Sequence, residues 1–129
     1  MESNTFKQLI NNMKDHANSQ HPKECCGIVT TDFEYVPYKN LAPDPENYFV
    51  LDPIAFVDHP DDCWAIFHSH PDQDNPLPSE NDIESTSFEE YKFIVGWKEK
   101  FYLYWYDTNI KSLKFKKFTE DYLRAECNS

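Results

Sequence analysis

The chain has 129 residues, of which 40% are hydrophobic and 16% aromatic. This length and composition exclude a disordered chain and suit one domain with a core of its own. The formal net charge of −11 disfavours nucleic acid and anionic membrane surfaces as partners. No apolar run could span a bilayer and the first residues do not resemble a signal peptide, so we expect a protein that is made and folded in a cytoplasm.

The cysteines of the chain predict no disulfide. Cys25 and Cys26 are adjacent, so a bridge between them would be strained, and the overall cysteine spacing fits no zinc-finger pattern. Cys26 and Cys63 lie in apolar stretches, where we expect buried thiols. Together with Cys127 near the end of the chain, they indicate a reducing compartment.

The first part of the chain predicts a helix and two paired strands. Apolar residues recur with helical spacing over residues 5–18, which is typical of an amphipathic helix. Residues 26–30 have the pattern of a strand, and Gly27 within it indicates that something packs close to the backbone. We expect residues 33–39 to pair with this strand at an edge of the sheet, where Pro37 is tolerated.

The rest of the chain alternates short helices with strands. Asp52-Pro53 is a typical helix start, with aspartate as the cap and proline at the first position. In the strand at residues 101–106, Tyr102, Tyr104 and Tyr106 share one face, which is either core beneath a helix or an exposed docking surface. The other predicted elements are strands at residues 48–51, 63–67, 93–97 and 113–116, and helices at residues 80–90 and 120–127.

Two histidines and an aspartate are the candidate metal ligands. His68 and His70 end an apolar strand and, being two positions apart, point to one face. A proline-rich loop follows, and Ser79 then begins a helix with Asp82 in its first turn. Two imidazoles and one carboxylate leave a tetrahedral zinc ion one open position, as in catalytic sites.

Simpler interpretations exist for each of these residues. Ser79 and Asp82 suit an ordinary helix N-cap with an acidic first turn, although a cap is compatible with lining a site. Glu24, just before the strand at residues 26–30, is typical of a surface glutamate when it is considered alone. The functional interpretation of Glu24, Ser79 and Asp82 therefore depends on their occurring together with the two histidines.

In order and residue type, several motifs resemble the JAMM (MPN-type) metallopeptidases. They are Glu24 before Cys26-Gly27, then His68-Ser69-His70-Pro71, then Ser79 and Asp82. Within that family the likeness is greatest to the N-terminal peptidase-like domains of the K-type tail assembly proteins of lambda-like phages. The resemblance implies a single α/β domain over residues 1–129, with a mixed β-sheet flanked by helices as in cytidine-deaminase-like proteins.

The resemblance also implies a mechanism. His68, His70 and Asp82 would bind one Zn²⁺ per chain, and the pKa of a water in the fourth position would fall towards about 7. Glu24 would take the proton of that water and deliver it to the leaving amine, while zinc and the Ser79 hydroxyl stabilise the oxyanion. The reaction would be hydrolysis of a peptide or isopeptide bond in a peptide or protein substrate, with other phage tail-tip proteins as further partners.

Two features depart from the family pattern. The spacing between His70 and Asp82 is one residue longer than usual, and the extra residue falls in the loop at residues 72–78, where insertion is tolerated. The phage proteins also usually carry a second domain, a cell-wall hydrolase. We expect that domain to be missing here, so the resemblance implies no cell-wall role.

Two other functions compete with hydrolysis. A tail-tip scaffold could use the same fold without catalysis, but scaffold versions commonly lack a ligand, whereas this chain has the full set and Glu24. A zinc deaminase also places a glutamate beside zinc. Its signature needs a Cys-x-x-Cys pair after the glutamate, which this sequence lacks.

Overall fold

The computed structural model describes residues 3–86 and 91–127. Within them, six strands form one sheet and four helices surround it. In chain order the elements are α1 (Ser3–Gln20), β1 (Cys26–Thr30), β2 (Tyr35–Tyr38), α2 (Ile54–Asp58), β3 (Cys63–Ser69), α3 (Glu80–Thr86), β4 (Lys92–Trp97), β5 (Lys100–Asp107), β6 (Ser112–Lys117) and α4 (Glu120–Cys127).

The strands lie in the order β2-β1-β3-β4-β5-β6. β3 and β4 are parallel, and the other neighbouring strands pair antiparallel. A parallel pair needs a crossover connection, and α3 lies within it. The expected mixed sheet flanked by helices is therefore confirmed, and its crossover passes directly beside the histidines at the end of β3.

The larger core lies between the sheet and the helices α1 and α4. The apolar stripe of α1, predicted from its spacing, packs against β2, β3 and β4. Burial of each large apolar side chain contributes about 1.5–3 kcal/mol. The largest fully buried members are Leu9, Met13, Val29, Phe67, Ile94, Leu103 and Leu123.

A smaller core covers the opposite face of the sheet. His68 belongs to this face, since it follows the buried Ile66 by two positions in β3. Tyr102 and Tyr104 are also buried here, so the hypothesis of an exposed tyrosine docking face is wrong and the core alternative holds for these two rings. The cluster consists of Ile66, Phe93, Val95, Tyr102 and Tyr104, with Phe49, Leu51 and Phe56 packed against it.

Residues 48–51 do not form the predicted strand. Only Leu51 makes a β-bridge, to Asn40. The side chain of Asn40 takes the place of a neighbouring strand, because its Nδ2 donates to the Tyr48 carbonyl at 3.0 Å and its Oδ1 accepts from the Val50 amide at 3.0 Å. The Tyr48 carbonyl and the Val50 amide thus have hydrogen-bond partners without regular strand pairing.

The edge strand β2 begins later than predicted. Phe33 has a positive φ of 62°, and its amide closes a turn by donating to the Thr30 carbonyl. Pro37 lies in this edge strand, as expected, and pairs with Gly27 of β1. A Cβ at Gly27 would overlap the Val36 carbonyl oxygen, which confirms the close approach that the glycine indicated.

The elements after the central loop agree with prediction except at their ends. α3 is described as far as Thr86, and its predicted continuation to residue 90 lies outside the described residues. The hairpin turn between β4 and β5 is tighter than expected, since Trp97 pairs directly with Lys100. Lys98 adopts the positive φ of 57° in this turn. The last strand and the C-terminal helix occupy the stretches predicted for them.

The thiols of Cys25, Cys26 and Cys63 are free, and Cys63 is the least buried of them. Burial raises the pKa of Cys25 to about 11 and that of Cys26 to about 12, so these thiols stay protonated at neutral pH. The side chain of Cys127 lies outside the described part. None of the helices in the described chain has the length and apolarity that a bilayer crossing requires.

Candidate metal centre

β3 carries one histidine into the interior, and the residues just after it carry the second. His68 pairs with Cys26 of β1 and Val95 of β4, and it is fully buried. His70 donates its amide to the Gly96 carbonyl at 3.1 Å, and its own exposure is 3%. The two ring centroids are 5.0 Å apart, so both imidazoles line one site, as their spacing predicted.

The start of α3 brings Asp82 to these histidines. Its Oδ2 lies 3.1 Å from His70 Nε2 and 3.8 Å from His68 Nε2. A reciprocal capping arrangement fixes it there: the Asp82 amide donates to Ser79 Oγ at 3.2 Å, and the Ser79 amide donates to Asp82 Oδ2 at 2.8 Å. The capping interpretation is therefore confirmed, the cap leaves Asp82 beside His70, and the extra loop residue does not separate the two.

Glu24 is buried inside the site and is not a surface residue. Its Oε1 lies 3.6 Å from His68 Nδ1 and 4.0 Å from His70 Nε2. Two hydrogen bonds hold its backbone in place. Its amide donates to the Pro45 carbonyl at 2.7 Å, and its carbonyl accepts from Asn40 Nδ2 at 2.9 Å. The residue before β1 therefore reaches the same point as the end of β3 and the start of α3.

These residues fit a divalent metal ion. Glu24 Oε1 and His68 Nδ1 are buried without a hydrogen-bond partner among the described residues, whereas buried polar atoms are nearly always satisfied. One ligand atom each from Glu24, His68 and His70 can be chosen so that all lie within 4.8 Å of one another. Asp82, which the sequence predicted as the third ligand, is not in that group, but its Oδ2 lies 3.1 Å from the same His70 nitrogen that Glu24 approaches. Imidazoles and carboxylates of this kind are ligands that zinc takes.

The candidate histidine and carboxylate ligands shift each other's pKa. Burial alone would raise the pKa of Asp82, but the nearby His68 charge and the hydrogen bonds from His70 and Ser79 outweigh it and hold that pKa well below its usual range. Burial lowers the pKa of His70, yet the hydrogen bond to Asp82 and the charge of Glu24 raise it overall. Asp82 is thus held as a carboxylate, the form that binds metals.

Two aromatic residues that the sequence analysis did not assign to the site hold His68. Tyr104 Oη lies 2.6 Å from His68 Nε2, and the ring of Phe49 stacks on the imidazole with centroids 4.4 Å apart. Burial and the nearby carboxylates of Asp82 and Glu24 raise the pKa of Tyr104 well above its usual value, so its hydroxyl stays neutral. The alternation of β5 indicated only the face of Tyr104, not its partner.

Asn40 is a third residue that the sequence analysis did not assign to the site. Besides its bonds to Tyr48, Val50 and the Glu24 carbonyl, its Oδ1 accepts from the Ala42 amide at 2.9 Å. One side chain thus ties the loop at residues 40–50 to the backbone of Glu24.

A cavity of about 410 Å³ opens beside Asp82. We refer to it as the site cavity. It shares Asp82 and Tyr104 with the metal centre, so anything bound in it lies next to the candidate ligands. The cavity is lined by Tyr48, Phe49, Asn81, Asp82, Glu84, Phe93 and Tyr104.

Comparison with known proteins agrees with this geometry. The family model described as prokaryotic homologs of the JAB domain matches residues 6–113. This chain belongs to that family. The JAMM (MPN-type) resemblance of the motifs is therefore confirmed, and the six-stranded mixed sheet with flanking helices is a JAB/MPN-like α/β fold.

One curated relative comes from a bacteriophage. Tail tip assembly protein K of Escherichia phage N15 is 36% identical over 103 residues, which are 72% of this JAB-family chain and 40% of the relative. The chain therefore spans less than half the length of that protein. The match agrees with the likeness to phage tail assembly proteins that the motifs indicated.

Proposed function

We propose that this JAB-family protein is a zinc-dependent metallopeptidase that hydrolyses a peptide or isopeptide bond. The observation that carries the proposal is the buried carboxylate of Glu24, whose unpartnered Oε1 faces both His68 and His70. Burying a carboxylate without a partner is costly, and a purely structural site would gain nothing from it. A general base beside a metal needs this placement.

In this proposal His68, His70 and Asp82 hold one zinc ion. Zinc bound there would supply a Lewis acid and a water of lowered pKa. The chain's own contribution is to present the three ligands from two elements that the hydrogen bonds of Ser79 and Gly96 already fix. Such fixed ligands need little rearrangement on binding, which favours both affinity and rate.

In this proposal Glu24 transfers a proton and Ser79 stabilises the negative charge that develops on the substrate. Glu24 accepts a proton from the attacking water and returns it to the leaving amine, so that a single carboxylate serves both half-reactions. Ser79 Oγ already accepts from the Asp82 amide, and its own O–H is available to donate to the carbonyl oxygen that becomes negative. Both groups stay on the protein throughout, and no covalent intermediate is needed.

We further propose that the protein acts in phage tail assembly or at a tail tip, with tail-tip proteins as partners. The match to Tail tip assembly protein K supports this context. The same match supports a second candidate, a non-catalytic assembly component that uses the JAB fold as a scaffold, because the relative's name describes assembly. Glu24, His68, His70 and Asp82 together favour the enzyme.

The first test of hydrolysis is Glu24→Gln. Wild-type protein supplied with zinc is incubated with peptide and isopeptide libraries, and products are detected by mass spectrometry. We expect the variant to lose at least about 100-fold in rate, because general-base catalysis contributes about that much. Zinc content should stay unchanged, because the proposed ligands remain.

Glu34→Gln is the matched control, since Glu34 is exposed in the turn between β1 and β2. It should keep full activity. Cleavage by Glu24→Gln at the wild-type rate would contradict the proposal. Absence of cleavage by wild type, together with its co-purification in a tail complex, would favour the scaffold.

A further inference from the structure

We propose that Tyr104 is a positioning residue of the metal centre, which makes His68 bind the metal through Nδ1. In this assignment the Nε2–H group of His68 donates to Tyr104 Oη, and Nδ1 carries the lone pair that a metal ion needs. The assignment rests on the proposed function, because it takes His68 as a metal ligand. It adds the ligating atom and the residue that determines it, and neither depends on the substrate.

The two ring nitrogens of His68 have different surroundings. Nε2 lies 2.6 Å from Tyr104 Oη, whereas Nδ1 is buried without a hydrogen-bond partner among the described residues. Glu24 Oε1, which also lacks such a partner, lies 3.6 Å from Nδ1, and this distance is too long for a hydrogen bond. Nδ1 is therefore the nitrogen of His68 that remains available for a metal ion, and it faces the proposed general base.

Packing fixes the plane of the His68 ring but not its orientation within that plane. The ring stacks on Phe49, with centroids 4.4 Å apart and planes 16° apart. A half turn about the Cβ–Cγ bond would keep this stacking and exchange each ring nitrogen with a carbon. Cε1 would then face the Tyr104 hydroxyl, and Cδ2 would face Glu24. The contact with Tyr104 therefore favours the orientation that directs Nδ1 towards Glu24.

The Tyr104 hydroxyl is itself held in place by the sheet. The Tyr104 ring is buried and stacks on Phe93, its partner in the pairing of β4 with β5, with centroids 5.3 Å apart. The phenol oxygen can accept the Nε2–H group, and Asp82 Oδ2, 3.8 Å from Nε2, attracts the same proton. Metal-binding histidines usually donate their second ring N–H to an oxygen, which fixes the tautomer and the orientation of the ring.

The test is the zinc affinity of Tyr104→Phe, which keeps the ring and removes the hydroxyl. Metal-free wild type and variant, both folded by circular dichroism, are titrated with zinc in competition with a chromophoric chelator. We expect the variant to bind zinc about 10–100-fold more weakly, as is usual when a metal-binding histidine loses its outer hydrogen bond. Tyr35→Phe is the matched control, since Tyr35 Oη lies 2.6 Å from His16 Nδ1 and packs against the larger core. It should keep the wild-type affinity.

Unchanged affinity in Tyr104→Phe would overturn the assignment, as would absence of zinc from the wild type. Tighter binding would also overturn it, because the hydroxyl would then compete with the metal for Nε2.

A second measurement needs no variant. Nitrogen NMR of zinc-loaded wild type with labelled histidine should show His68 with a proton on Nε2 and zinc on Nδ1, and the reverse would reject the assignment. Zinc bound in this way without cleavage of any peptide would leave the assignment standing and contradict only the proposed hydrolysis.

Discussion

Tyr104 of β5 and His68 of β3 are both fully buried, and their side chains meet across the intervening strand β4. The phenol oxygen lies 2.6 Å from Nε2, and no other described partner of that nitrogen is as close. A buried imidazole nitrogen without a partner is costly. The hydroxyl therefore contributes to the stability of the metal-free protein as well as to the position of His68.

Tyr104→Phe removes this one oxygen and keeps the ring. We expect the metal-free variant to lose about 1–3 kcal/mol in the free energy of unfolding, measured by urea denaturation, because His68 Nε2 loses its nearest partner. Tyr106→Phe on the same strand is half-exposed and should change stability by less than about 0.5 kcal/mol. Equal effects of the two substitutions would contradict this role for Tyr104.

Residues of the candidate site could be predicted from the sequence where a local signal places them, and not where only strand pairing brings them together. His68, His70 and Asp82 follow from local rules, because strand alternation and helix capping act over two to four positions. Tyr104 could not be found in this way. It lies 36 positions from His68 along the chain, and the two meet only through the pairing of β3, β4 and β5.

The loop at residues 40–50 is the part of the fold that sequence patterns predicted least well. Its apolar residues 48–51 resemble a strand, but Asn40 supplies the hydrogen bonds that a neighbouring strand would otherwise provide. By contrast, β3 and the start of α3 were predicted closely, since an unbroken apolar run and a capped helix start are local signals.

Asn40→Ala tests whether this loop depends on one side chain. We expect a loss of about 2–4 kcal/mol in the free energy of unfolding, because several backbone groups lose their partner at once. Hydrogen exchange at the Val50 and Ala42 amides should accelerate well beyond the global change. Asn47→Ala is the control, since the Asn47 side chain bonds only to exposed Asp44 among described partners. Protected amides in Asn40→Ala would contradict the assignment.

The two cores on opposite faces of the sheet contain different kinds of residue. The larger one, under α1 and α4, contains apolar side chains and no candidate ligand. The smaller one surrounds His68 and adjoins the site cavity. Both layers therefore contribute to stability but only the smaller one adjoins the candidate site, and a metal bound there would stabilise the fold by mass action.

We expect His68, His70 and Asp82 to hold a metal ion together. The most direct measurement is the metal content of protein purified without added metal, determined by elemental analysis for wild type and for the double variant His68→Ala/His70→Ala. His59→Ala serves as control, because His59 pairs with Asp62 at the other end of β3. We predict about one zinc per chain in wild type and in the control, as in sites with an open position, and none in the double variant. Wild-type protein that holds no metal even after zinc is supplied would show that these three residues do not form a metal site.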